Sequence, residues 1–118
     1  MENKGVIYQK SYAFAIRIVK AYKYLCQEKN EYVLSKQLLR SGTSIGANCS
    51  EARNAQSTLD FISKLSIALK EASETEYWLD LLHDSQYIDD KSYESIHNEC
   101  VELIKLLTSI IKTTKSTL

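Results

Sequence analysis

Apolar residues recur at alternating steps of three and four along almost the whole chain, the spacing of amphipathic helices. The first run predicts a helix from about Ile7 to Lys29. Tyr8, Tyr12, Ala15, Val19, Tyr22 and Cys26 form one apolar stripe, and Ile7, Phe14, Ile18, Ala21 and Leu25 form a second beside it. Lys10, Arg17, Lys20 and Lys23 occupy what remains. One stripe fills the core of a bundle, so the arc is wider than a single chain needs. The first stripe is assigned inward. The second, with Ile7, Phe14 and Ile18, is assigned to a contact with another subunit.

Asn30 suits the end of that helix because it tolerates a left-handed backbone. A second helix is expected from Ser35 as N-cap, with Leu34 and Leu39 as a hydrophobic staple. Its inward stripe reads Leu34, Leu38, Ser41, Ile45, Asn48, Ala52 and Ala55. Gln56, Ser57 and Thr58 form a corner, where Ser57 and Asp60 resemble a capping box. The third helix spans about Leu59 to Asp84, with Phe61, Leu65, Ala68, Ala72, Thr75, Leu79 and Leu82 inward. Glu71, Glu74, Trp78 and Leu81 lie on an adjoining side, and Trp78 is taken as an interface anchor. Asp89 caps a fourth helix carrying Tyr93, Ile96, Cys100, Leu103, Leu107, Ile110 and Thr114, and the tail from Lys112 is expected to fray. Short corners make neighbours antiparallel, so the expected fold is all-α: one domain over residues 1–118, an up-down-up-down four-helix bundle.

The stretch from Ser41 to Ala55 departs from ordinary helix composition. Around Ile45 it gathers Gly42, Ser44, Gly46, Ala47, Cys49, Ser50, Ala52 and Ala55, nearly all small. Each helical glycine costs about 1 kcal/mol relative to alanine. Gly42, Gly46 and Ala52 therefore imply a neighbouring backbone at close range. Asn48 and Glu51, three apart on one face, are the polar residues expected in the core, fixing helix register.

Composition adds limits. The 118 residues are 44% hydrophobic and 25% charged, with no proline and three glycines, which suits long helices and not an all-β fold. No apolar run approaches the roughly 18 residues of a membrane span. The N-terminus lacks the apolar core of a signal peptide, and a cytoplasmic location with no membrane partner is expected. Three widely spaced cysteines, Cys26, Cys49 and Cys100, read as buried reduced thiols. Net charge is zero but unevenly placed: residues 1–53 carry nine Lys/Arg against four Asp/Glu, and residues 54–103 three against eleven. Such asymmetry marks a nucleic-acid face, subunits paired by charge, or solvated surfaces.

Candidate chemistry is sparse. A ferritin-like di-metal site needs carboxylates from all four helices. Glu94-x-x-His97 fits and Asp80-x-x-His83 echoes it, but the first helix has no carboxylate between Glu2 and Glu28. No metal and no cofactor are expected. Neither histidine falls near Cys49 or Cys26 in the expected packing, and Gly42-Thr43-Ser44-Ile45-Gly46 lacks the Walker spacing and ending. No catalytic residue, enzyme activity or small-molecule substrate follows. Nucleic-acid binding stays open: Lys10, Arg17, Lys20, Lys23, Lys36, Arg40 and Arg53 lie on the first two helices with Tyr8, Tyr12, Tyr22 and Tyr24 among them.

The run from Leu34 to Ser41 (LSKQLLRS), followed by Ser44-Ile45-Gly46-Ala47-Asn48-Cys49-Ser50-Glu51, resembles the bacterial four-helix bundle family of 23S rRNA intervening sequence proteins. Ala68-Leu69-Lys70-Glu71 and Glu74-Thr75-Glu76-Tyr77-Trp78-Leu79 resemble its third-helix pattern. Cys49 stands where a branched apolar residue is usual, and Ala52 where glycine is. That family is similar in fold to the accessory protein of diversity-generating retroelements, a pentamer that binds nucleic acid and a reverse transcriptase. The resemblance implies a homopentamer here. The expected function is a non-enzymatic oligomeric scaffold or adaptor. The alternative is an accessory subunit binding RNA or DNA through the basic residues of the first two helices.

Overall fold

The computed structural model describes residues 2–118, with side chains from residue 5 onward. Four helices account for nearly all of it: α1 (Glu2–Lys29), α2 (Leu34–Arg53), α3 (Thr58–Asp84) and α4 (Asp90–Lys115). They run up-down-up-down, and each packs against its sequence neighbours, with α4 closing on α1. The molecule measures 47 × 21 × 19 Å, its long dimension set by helices of 20 to 28 residues. The α2–α3 seam is the richest and the α1–α4 seam the thinnest.

The corners show why the helices stop. Asn30 takes a left-handed backbone (φ 53°), and the Glu31 N–H reaches back to the Leu25 carbonyl at 2.9 Å. The start of α2 is not capped by Ser35. The buried Glu31 carboxylate instead accepts the N–H groups of Val33, Leu34 and Ser35 at 3.1, 3.0 and 2.6 Å. Ser35 lies inside the helix and its hydroxyl donates to the Glu31 carbonyl at 2.8 Å. Ser57 does cap α3, accepting from the Asp60 N–H at 3.0 Å, while Asp60 accepts from the Gln56 N–H at 3.2 Å. At the end of α3, Gln86 is left-handed (φ 69°) and the N–H groups of Gln86 and Tyr87 return to His83 and Leu82. Asp89 caps α4 through the Ser92 N–H at 2.7 Å. The last helix continues to Lys115 with Thr114 buried, further than the expected fraying at Lys112.

The core corrects the reading of α1. Ile7, Phe14, Ile18 and Leu25, together with Ser11, are buried within this single chain, so Ile7, Phe14 and Ile18 are not free for another subunit. The tyrosine stripe lies further out: Tyr12 is 70% exposed, against 0% for Ile18, while Tyr8, Tyr22 and Cys26 are half-buried. Tyrosine tolerates the water boundary better than a large aliphatic side chain, because its hydroxyl can stay in water. Burying each of the large apolar side chains is worth about 1.5–3 kcal/mol, which decides the rotation of α1. On α2 the inner stripe is Leu38, Ser41, Gly42, Ile45, Cys49 and Ala52, with Cys49 where Asn48 was expected. The inner faces of α3 and α4 follow the sequence pattern closely, with Ile62 deeper than Phe61.

The small residues of α2 bring α1 close. A Cβ placed on Gly42 would lie 2.7 Å from Cγ1 of Ile18, and one on Gly46 would lie 3.2 Å from the Ser11 carbonyl oxygen. Ala52 is buried at the end of the same face. Across the other seams, the Thr75 hydroxyl donates to Ser41 at 3.0 Å and the Cys100 thiol to the Ala72 carbonyl at 3.3 Å.

Candidate functional site

Three surfaces carry the residues that chemistry or recognition would use. The first is the outward side of α1 and α2, which holds all seven cations expected to meet nucleic acid. Each helix presents them where its buried stripe leaves room, but most already have partners. Lys10 pairs with Glu102 at 2.9 Å, and Arg17 with Glu99 at 2.8 Å and with the Ser95 hydroxyl at 3.1 Å. Arg40 sits between Glu71, at 3.2 Å, and Glu74. The Arg53 guanidinium lies 4.0 Å from the ring centre of Tyr8, a cation–π contact. Lys20, Lys23 and Lys36 are exposed and form no ion pair among the described residues. Of these seven, the uncommitted positive charge is therefore three lysines.

The second surface is apolar. Tyr12, Ile16, Val19 and Tyr24 of α1 are all exposed. Beside them a groove of about 530 Å³ opens along the thin α1–α4 seam, walled by Ala21, Tyr24, Leu25, Ile88 and Ile96, with Arg17 and Lys20 among its lining. Trp78, expected as an interface anchor, is half-buried against the core, and its ring N–H donates to Glu74 at 3.0 Å. Its neighbour Tyr77, edge-on at 5.0 Å, is the exposed aromatic of that face.

Asn48 and Glu51 do not form a polar core. Asn48 is half-buried and its amide donates to the Ser44 carbonyl of its own helix at 2.9 Å. Glu51 is exposed and pairs with Lys64 at 3.2 Å. Three positions apart on a helix, they flank the buried stripe on its outer side while Cys49 and Ala52 take the inside. The buried polar link between helices is Ser41 with Thr75, which the sequence reading assigned to the inner stripes without pairing them.

The third surface was missed. Near the α3–α4 corner, His83, Tyr93 and His97 stack in a ladder, with ring centres 4.2 and 4.9 Å apart. His83 faces Asp84 at 3.0 Å and Asp90 at 2.7 Å, and these carboxylates raise its pKa above the usual histidine value. His97 Nε2 lies 2.9 Å from Glu76 and 3.7 Å from Asp80, and the Tyr93 hydroxyl donates to Asp80. Burial, then Asp80, pushes the Tyr93 hydroxyl up to about 12, so it stays a donor. The sequence pairing of Asp80 with His83 is replaced by Asp80 with His97. The legible signal was the Glu76/Asp80 spacing of four, which puts both carboxylates on one face of α3.

The thiols offer no nucleophile in the core. Burial pushes Cys49 up to about 11 and Cys100 up to about 12, and all three cysteines are free. Among the described residues no helix is long and apolar enough to cross a membrane.

The chain belongs to the 23S rRNA-intervening sequence protein family, which it matches over residues 3–109. It is similar to a crystal structure of a protein of unknown function from the S23 ribosomal protein family of Bacteroides thetaiotaomicron. The two are 60% identical, the match covers 93% of this chain and 98% of that one, and the TM-score is 0.92. No curated protein matches the chain.

Proposed function

We propose that this chain is a non-enzymatic, cytoplasmic scaffold or adaptor that assembles with copies of itself into a ring. The observation that carries the reading is the exposed row Tyr12, Ile16 and Val19, with Tyr24 beside it, on a helix whose core stripe is already satisfied within the chain. Large apolar side chains at helical spacing on an outer face gain by being covered, at about 25 cal/mol per Å². Charge supports a head-to-tail contact: residues 1–53 are net positive and residues 54–103 net negative. Such heterologous contacts close into rings when the rotation allows. Five subunits is the number implied by similarity to the retroelement accessory protein. Light scattering at micromolar concentration tests the reading, with a mass near five times 13.5 kDa expected.

A second reading, binding of RNA or DNA, rests on Lys20, Lys23 and Lys36, which carry no ion pair among the described residues, with Tyr24 exposed one position beyond Lys23. Lysines neutralise phosphates and tyrosine stacks on bases. A ring would repeat this patch, and a reverse transcriptase is the protein partner that the same similarity brings with it. The reading predicts a mobility shift that weakens steeply with salt and is lost in Lys20→Glu/Lys23→Glu. An unchanged shift in that variant removes these lysines from the interface.

A further inference from the structure

We propose that Glu76, Asp80 and His97 form a site for one divalent zinc ion per chain, joining α3 to α4. Glu76 and Asp80 stand one turn apart on α3, and His97 reaches them from α4. The three donor atoms all lie within 4.8 Å of one another. Two of the three donor separations suit a tetrahedral ion. With metal–ligand bonds of about 2.0–2.1 Å, neighbouring ligands sit about 3.4 Å apart. His97 Nε2 is 2.9 Å from Glu76 and 3.7 Å from Asp80, values that straddle that edge. An ion would take the place of the His97–Glu76 hydrogen bond, with Nε2 as the ligand atom of a neutral imidazole and the ring N–H on Nδ1.

Charge argues for a cation independently. On the other seams, cross-helix carboxylates are met by lysine or arginine: Glu71 and Glu74 by Arg40, Glu99 by Arg17, Glu102 by Lys10, Glu51 by Lys64. Glu76 and Asp80 meet no lysine or arginine among the described residues, only the His97 imidazole and, for Asp80, the Tyr93 hydroxyl, although both are partly buried. A divalent ion supplies the missing positive charge, and a set of one imidazole and two carboxylates is within zinc's range. The supports are also in place. The Tyr93 hydroxyl donates to Asp80 and fixes the carboxylate, and the Tyr93 ring stacks on His97 and fixes the imidazole. Three protein donors leave one tetrahedral position for water. His83 is turned away toward Asp84 and Asp90 and takes no part.

The test is titration of the metal-free full chain with zinc chloride, read by calorimetry and native mass spectrometry, with cobalt(II) as a spectroscopic substitute. One zinc per chain is expected, with affinity falling at least about tenfold in Glu76→Gln and in His97→Ala and by a similar factor in Tyr93→Phe. Cobalt should show tetrahedral visible bands without a thiolate charge-transfer band. Glu76→Gln keeps the shape and a hydrogen-bonding group, so it decides the matter if His97→Ala loses helical circular dichroism. No stoichiometric binding, equal affinity in Glu76→Gln, or a thiolate band placing the metal on a cysteine overturns the assignment.

Discussion

Gly42 is pressed against Ile18: a Cβ on the glycine would fall 2.7 to 2.9 Å from three side-chain carbons of the isoleucine. Ile18 is fully buried, so its side chain cannot swing aside into solvent. Gly42→Ala gains about 1 kcal/mol of helix propensity but overpacks this seam by about 1–3 kcal/mol, so a net loss of roughly 1 kcal/mol is expected in urea unfolding. Ile18→Ala removes all three carbons and should cost about 2–5 kcal/mol alone. In the double variant the new methyl occupies part of the space left by Ile18. The two changes should therefore couple favourably by at least about 0.5 kcal/mol. Strict additivity would mean that the two residues do not touch.

Gly46 presses on backbone. The Ser11 carbonyl, 3.2 Å from a hypothetical Cβ, belongs to α1 itself and has no rotamer to yield. Gly46→Leu should push α1 from α2 and lower stability by about 1–3 kcal/mol, measured by the midpoint of denaturant unfolding.

Glu31 makes the start of α2 sensitive to acid. Burial works to raise its pKa, but the N–H groups of Leu34, Ser35 and Val33 outweigh it and hold the carboxyl below its ordinary 4.5. The folded state therefore favours the ionised form. This contribution is complete above about pH 4.5 and is lost as pH falls through the lowered folded value. Glu31→Ala should cost about 1–2 kcal/mol at pH 7 and flatten the stability-against-pH curve on the acid side. An unchanged acid limb would assign the cap no role.

The thiols should separate by reactivity. Cys49 and Cys100 are fully buried with raised pKa values, and Cys26 is half-buried. A disulfide reagent on the native protein should label Cys26 first, and the other two only at the rate of opening. Cys26→Ser should remove the early phase. Rapid labelling of three thiols would contradict the buried positions.

Four helices, their order and the corners before α3 and α4 were legible because the inner faces repeat at helical spacing and Ser57 and Asp89 mark two starts, whereas the Glu31 cap of α2 was not. The rotation of α1 was not. Its true core stripe is interrupted by Ser11, which looks polar in sequence but is buried where Gly46 comes close to its backbone. The competing stripe is rich in tyrosine, which counts as apolar in a periodicity yet keeps its hydroxyl in water. Asn48 and Glu51 were drawn inward for a related reason: among so many small residues, either side of α2 reads as a close-packed face, and the depth of Cys49 decided it. The Glu76–Asp80–His97 cluster joins residues from two helices, and that juxtaposition depends on how α3 and α4 pack.

Self-association through the outer face of α1 is tested most directly by sedimentation equilibrium of the wild type beside Tyr12→Lys/Ile16→Glu, both positions being exposed in the single chain. The wild type should sediment at several times 13.5 kDa, and the variant at the mass of one chain with its helical circular dichroism intact. A wild type that is monomeric at micromolar concentration, or a variant that assembles as before, would contradict it.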